Sequence, residues 1–174
     1  MKLNLYVFAV FIATAVLQAA AGDLLSIYGV KPSLMLIALY AFAITESAWA
    51  GILYGAFAGF LDDCLSGGYI GLFVSEYAII GYLASRAGKK WFNIGESSNF
   101  GGIFTASLLG GIYTAALVST VRGGQDTLYL ALRFGLPQAA YNAFAGVFIL
   151  WLFKELLARR VPWLQKVRQL QVRL

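Results

Sequence analysis

The chain has 174 residues, of which 60% are hydrophobic and 12% are charged, and its net charge is +5. Because roughly a quarter of the residues in a soluble domain are charged, most of the surface of this protein is expected to face lipid. The absence of histidine and the single cysteine, Cys64, exclude an intrachain disulfide, a Cys/His metal site and a histidine-based catalytic triad.

The first apolar run is Leu5–Ala21, which ends at Gly22-Asp23. Its 17 residues exceed the core of a signal peptide, which has about 7–15 residues. We therefore expect a retained first helix, although its end, rich in small residues, resembles a cleavage site.

A second helix is predicted from Pro32, which a first helical turn tolerates, to about Thr45. At 1.5 Å per residue it spans only about 20 Å, less than the ~30 Å hydrocarbon core of a bilayer. Either the preceding residues extend this helix, or neighbouring helices shield a short span.

The third helix is predicted over Ala48–Leu61, with Gly51, Gly55 and Gly59 at a four-residue interval. Small residues at this spacing line one face of a helix, where another backbone can approach closely. That backbone belongs either to a partner protein or to another helix of the same bundle, and both interpretations remain open.

Asp62 and Asp63 follow the third helix, together with Cys64 and a glycine turn at Gly67. Neighbouring positions on a helix point about 100° apart, so these carboxylates cannot converge on one water as an intramembrane aspartyl protease requires. We interpret the pair as a solvated helix end, or as a turn that defines the fold or contacts a partner. Cys64 is interpreted as a small packing residue, because no base is near it.

The fourth helix is predicted from Tyr69 to about Ala84, with Glu76 near its middle. A carboxyl group at mid-membrane usually faces the bundle interior, a cavity or a partner. Glu76 is therefore either a coupling group for protons or cations, or a buried hydrogen-bonded residue. The second interpretation is favoured, because the sequence lacks the chain of such groups that transport normally needs.

The fifth helix is predicted over Gly101–Val121 and again carries small residues at helical spacing. An amphipathic segment, residues 127–136, is expected at the membrane interface, and the sixth helix is expected to run from Pro137 to about Leu157. Within it, Asn142 is expected to form hydrogen bonds across helices.

The sequence thus predicts an all-α bundle of about six transmembrane helices, residues 1–157, and a basic amphipathic tail, residues 158–174. The tail is expected to lie on anionic lipid through Arg159, Arg160, Lys166, Arg168 and Arg173. With six spans and a cytoplasmic N-terminus, ten of the 13 lysine and arginine residues lie in cytoplasmic segments, as the positive-inside rule requires. Both termini are therefore expected in the cytoplasm, and the positive charge is assigned to lipid and not to nucleic acid.

Three stretches resemble the bacterial rod shape-determining protein MreD family: KPSLML at 31–36, GILYGAFAGFLDDCLSG at 51–67 and LPQAAYNA at 136–143. The order and spacing of the three stretches carry the resemblance. The family's motif positions correspond here to Pro32, Gly59, Asp62 or Asp63, Gly67, Pro137 and Asn142.

The resemblance implies a non-enzymatic component of the cell-elongation machinery in the inner membrane, with no cofactor and no metal. Its implied partners are MreC, a single-pass membrane protein, and, through the wider complex, MreB filaments and the peptidoglycan synthases. The family's fold is similar to the substrate-binding subunits of energy-coupling-factor vitamin transporters, which supplies the alternative function.

The two functions, partner-binding scaffold and vitamin-binding subunit, require different sites. A vitamin site needs several polar or aromatic groups converging on one cavity. The sequence offers few candidates on the outer side, namely Asp62, Asp63, Arg122 and Asp126. This scarcity favours the scaffold.

Overall fold

A computed structural model describes residues 5–21, 26, 30–91, 96–121 and 127–160. In this part of the chain the structure is helical and contains six helices of ten or more residues, as predicted. These are α1 (Leu5–Ala21), α2 (Leu34–Ala43), α3 (Ala48–Ser66), α4 (Leu72–Trp91), α5 (Glu96–Val121) and, after a short α6 (Thr127–Leu130) and a π-helical segment (Ala131–Gly135), α7 (Leu136–Arg160).

Among the described residues, Asn99–Val121 of α5 is the one stretch that is both long and apolar enough to cross a membrane unaided. Two shorter apolar helices, Tyr6–Ala20 and Leu34–Ala43, accompany it. The predicted number of helices is therefore confirmed, whereas the crossing of the membrane by each of them remains a prediction.

The short α2 lies at the centre of the bundle, where it contacts α1, α3, α4, α5 and α7. Met35, Leu36, Ile37 and Leu39 are almost fully buried. Its N-cap is Ser33, whose hydroxyl accepts a hydrogen bond from the Leu36 amide, so the helix begins after Pro32 and not at it. These contacts fit the shielding of a short span by its neighbours. The other explanation, an extension by the preceding residues, concerns positions that lie for the most part outside the described residues.

The α3–α4 pair is the most extensive helix contact, and it uses the glycine stripe of α3. A Cβ atom at Gly55 would overlap the carbonyl oxygen of Tyr77, and one at Gly59 would overlap that of Phe73. At Gly51 it would meet the backbone of Gly81 and the hydroxyl of Ser85 on α4. The close backbone approach predicted from the sequence therefore takes place inside the bundle.

The C-terminal end of α3 lies beyond the predicted position. The helix continues to Ser66 and closes at Gly67, whose φ of 62° is the left-handed conformation that favours glycine at a helix end. Asp62 and Asp63 are consequently inside the helix, and they are 6% and 3% exposed. The interpretation of this pair as a solvated helix end is therefore wrong.

The segment before α7 is helical as well. Leu128, Tyr129, Leu132 and Phe134 are exposed apolar or aromatic residues; Ala131 and Gly135 are buried. Pro137 is the second residue of α7, close to its predicted place. The predicted tail falls outside the described residues from 161 onward, as do the side chains of Arg159 and Arg160.

Candidate functional site

A cavity of about 590 Å³ lies at one end of the bundle. Its walls come from the C-terminal part of α1, the residues preceding α2, the end of α3, the start of α4, the second half of α5, the π-helical segment and the start of α7. It reaches the outside of the bundle beside Lys31, Leu65 and Phe134, which line it and are exposed. Segments that are far apart in the sequence therefore enclose a single cavity.

A network of hydrogen bonds in the cavity wall begins at the side-chain amide of Gln18 on α1. Its Nε2 donates to Oδ1 of Asp62 on α3 over 2.7 Å, and its Oε1 accepts from the Met35 amide over 3.0 Å. The hydroxyl of Tyr77 on α4 donates to the other oxygen of Asp62 over 2.6 Å. Both oxygens of this buried carboxylate therefore have donors, supplied by two different helices.

The hydrogen-bond network continues from Tyr77 to α7 and α5. The hydroxyls of Tyr77 and Ser33 are 2.8 Å apart; because Tyr77 donates its proton to Asp62, Ser33 must donate here. The Ser33 amide donates to Oδ1 of Asn142 on α7 over 2.8 Å, and Nδ2 of Asn142 donates to Ser107 on α5 over 3.1 Å. One network thus joins all six long helices, and the predicted cross-helix role of Asn142 is confirmed.

Asp63 has a different role from Asp62. Its carboxylate accepts hydrogen bonds from the amides of Gly71, Phe73 and Val74, at 2.7, 3.0 and 3.3 Å. These amides belong to the start of α4, where helix N–H groups have no partner within the helix. Asp63 therefore fixes the turn between α3 and α4, as the fold-defining interpretation proposed.

Glu76 is buried, with 5% of its surface exposed, and it lines the cavity. One carboxylate oxygen accepts the hydroxyl of Thr114 on α5 over 2.5 Å. The other oxygen lies against Gly110, where an added Cβ would overlap it, and no described residue donates a hydrogen bond to it. The small residues of α5 thus make room for this side chain.

A second close contact between glycines borders the cavity. Gly111 of α5 and Gly135 of the π-helical segment approach each other so closely that a Cβ on Gly111 would lie 2.8 Å from the Cα of Gly135. This contact holds the segment that carries Phe134 against α5. π-Helical turns are rare and frequently occur at functional sites.

The sequence predicted some of these residues and missed others. Asp62, Glu76 and Asn142 were singled out, and the structure brings all three to one cavity. Gln18, Ser33 and Tyr77 were missed, although each is a polar group in a mostly apolar segment, which is the available signal. Two expected outer-side candidates, Arg122 and Asp126, lie outside the described residues.

The polar side chains of the cavity wall belong to several chemical types. Within the described ranges, no three His, Cys, Asp or Glu side chains are grouped to hold a metal ion. The only cysteine in the chain, Cys64, is exposed and does not line the cavity. The walls carry side-chain amides, hydroxyls, two carboxylates and, at the rim, the ammonium group of Lys31, around a space of the size of small-molecule sites.

Among the comparisons with known proteins, the comparison with protein families gives a match. The family model described as rod shape-determining protein MreD matches residues 1–161 of the chain. No curated protein and no solved structure matches it. The expected likeness to the substrate-binding subunits of energy-coupling-factor transporters is therefore unsupported.

Proposed function

The chain belongs to the rod shape-determining protein MreD family, and from this we propose that it is a non-enzymatic scaffold of the cell-elongation machinery in the bacterial inner membrane. The observation that carries the proposal is the family match over residues 1–161. A membrane protein with a role in rod shape follows from the family. The proposal adds that it acts by holding a single-pass, MreC-like partner and, through the wider complex, MreB filaments and peptidoglycan synthases.

We propose that a partner helix binds to outward-facing apolar side chains of the bundle. The backbone of α4 packs directly against the glycines of α3. On α5, the side chain of Tyr40 packs against Gly102 and that of Glu76 against Gly110. A partner would therefore contact outward-facing apolar side chains. Candidates lie on α1 and α7, where Val16, Phe144 and Phe148 are between 62% and 68% exposed.

Depletion in a rod-shaped host tests the function. Cells that lose the protein should become round, and expression of the unchanged chain should restore rods. Purification in mild detergent should recover an MreC-like protein with it. Depleted cells that keep their rod shape would contradict the proposal.

The proposed orientation has both termini in the cytoplasm, which places the cavity at the external face. Reporter fusions after Lys90 and after Leu174 should behave as cytoplasmic, and one after Asp126 as external. An external signal from the C-terminal fusion would contradict the orientation.

Binding of the tail to anionic lipid is also part of the proposal. Each basic residue near an anionic surface contributes about 1 kcal/mol, and salt weakens the attraction. Replacing the five basic residues named above with glutamine should expose the tail to protease while the bundle stays folded. Unchanged resistance of the tail would contradict this role of charge.

The cavity supports a second candidate function, binding of a small molecule as in a vitamin transporter subunit. Its volume of about 590 Å³ lies in the range of small-molecule sites, about 300–1,000 Å³. The same depletion experiment distinguishes the two. Cells that keep their shape but no longer accumulate a vitamin would favour the transporter.

A further inference from the structure

We propose that the cavity binds the protonated primary amine of a small amphipathic molecule, with the ammonium group at Glu76. The proposal goes beyond a role in rod shape and rests on the cavity alone. Its failure would leave the depletion phenotype unaffected, so the two can be tested separately.

The charge of the lining favours a cation. The carboxylates Asp62 and Glu76 both line the cavity, on helices α3 and α4. Lys31 is the one basic residue among the lining residues, and it is exposed at the rim. An anionic ligand would bring like charges together inside a poorly solvated space, whereas an ammonium group would offset the two carboxylates.

Hydrogen bonding identifies Glu76 as the place for the ammonium group. Both oxygens of Asp62 already have donors, from Gln18 and Tyr77. Glu76 has only Thr114, on one oxygen. No buried side-chain oxygen of the described residues lacks a hydrogen-bond partner, so the second oxygen of Glu76 is open to the cavity. A primary ammonium group in the cavity supplies three N–H donors for such an oxygen.

The groups around Glu76 fit the rest of such a head group. Ser107 and Thr114 of α5 and Gln138 of α7 line the same space and provide oxygen acceptors for the remaining N–H groups. Gln138 has no hydrogen bond among the described residues, so its amide is available. A quaternary ammonium group, which has no N–H, would leave these acceptors unused.

The rim indicates that the ligand is amphipathic. Leu65 and Phe134 line the cavity and are 47% and 48% exposed, and Val118 of α5 adds to the apolar lining. A ligand with an amine at one end would place its apolar part on these side chains. Two sources offer this chemistry: the head group of an aminolipid, and a free organic amine.

The test compares amines with their trimethylated counterparts. The full chain is purified and placed in nanodiscs of phosphatidylglycerol that contain a minor fraction of either phosphatidylethanolamine or phosphatidylcholine. Native mass spectrometry measures the retained lipid, and isothermal titration measures binding of free ethanolamine and of choline. We expect one of the primary amines to bind at least about tenfold more tightly than its trimethylated counterpart, as charged hydrogen bonds imply. Retention of the lipid or of free ethanolamine identifies the source.

Two variants and a matched control locate the site. Glu76→Gln should weaken amine binding by about tenfold or more. Ala19→Trp, at an exposed lining residue of α1, should block the cavity without touching the hydrogen-bond network; Ala20→Trp, at an exposed neighbour outside the lining, should bind as the unchanged chain does. Gel filtration confirms that each variant is folded.

Three results would overturn the proposal. The first is equal binding of the primary and trimethylated compounds, or binding of neither. The second is unchanged amine binding in both folded variants, Glu76→Gln and Ala19→Trp. The third is cross-linking of the Glu76 carboxylate to a lysine of a co-purified protein with no amine bound, which would assign the cavity to a partner's side chain.

Discussion

The α3–α4 interface and the cavity share the helix α4, and they are built in different ways. On one side of α4, the backbone carbonyls of Phe73 and Tyr77 touch glycines of α3, so the two backbones are in direct contact at these positions. On the other side, the side chains of Tyr77 and Glu76 face a space of about 590 Å³. The first region is a contact between backbones, and the second is a polar lining.

The difference shows how a small bundle in lipid can keep an open polar space. Helices in lipid associate through packing and hydrogen bonds, because the lipid itself is apolar. The α3–α4 contact supplies the packing. The hydrogen-bond network that runs from Gln18 to Asn142 connects the helices along the cavity wall.

The largest expected effect tests the backbone contact. Gly55→Leu should prevent α3 from approaching α4 and should abolish monodisperse protein, because the added atoms overlap the Tyr77 backbone. Gly101→Leu is the matched control, since a Cβ at Gly101 meets nothing within 4 Å. Gel filtration in detergent measures both. A monodisperse Gly55→Leu protein that only loses its partner would mean that the stripe faces the partner after all.

The next effect concerns the turn that connects the two regions. Asp63→Ala removes the acceptor for three amides at the start of α4, and the loss should be about 2 kcal/mol of unfolding free energy. Asp63→Asn keeps one oxygen acceptor and should therefore recover part of the lost unfolding free energy. Cys64→Ala, at the exposed neighbour, should change stability by less than about 0.5 kcal/mol. Unfolding in sodium dodecyl sulfate measures the stability of all three variants. Equal unfolding free energies for the two Asp63 variants would argue that Asp63 does not stabilise the start of α4 by accepting these hydrogen bonds.

The sequence predicted the individual helices better than the contacts between them. The bounds of α1 and the number of helices followed from long apolar runs, and the role of Asn142 from its isolation among apolar residues. The end of α3 was misplaced, because Asp62-Asp63 has the composition of a solvated helix end. Asp62 can be buried because Gln18 and Tyr77, which are distant in sequence, donate hydrogen bonds to it, and Asp63 because amides at the start of α4 donate to it. Spacing along one helix does not show which other helix will supply such donors, and so the cavity could not be predicted.

A smaller effect tests the network in the cavity wall. Asn142→Ala leaves the Ser33 amide without its acceptor and removes the link to Ser107. The expected loss is about 1 kcal/mol, typical of hydrogen bonds between helices in lipid. Gln138→Ala, one turn earlier on α7 and without a hydrogen bond among the described residues, should have little effect on unfolding. A loss of equal size in both variants would show that the wall is stabilised by side-chain volume and not by this network.

A comparably small effect is expected at the Gly111–Gly135 contact on the border of the cavity, which is a close contact between backbones like the α3–α4 interface. A Cβ at Gly111 would lie 2.8 Å from the Cα of Gly135, whereas a Cβ at Gly135 would lie 3.3 Å from the Cα of Gly111. Alanine is favoured over glycine in a helix by about 1 kcal/mol. Backbone overlap at Gly111 should outweigh this gain, since overpacking typically costs about 1–3 kcal/mol; at Gly135 a shift of a few tenths of an ångström relieves the contact. Gly111→Ala should therefore be less stable than Gly135→Ala by about 1 kcal/mol in the same unfolding assay. Equal stability would show that the π-helical segment can move away from α5, and that this border, unlike the α3–α4 interface, is not a fixed backbone contact.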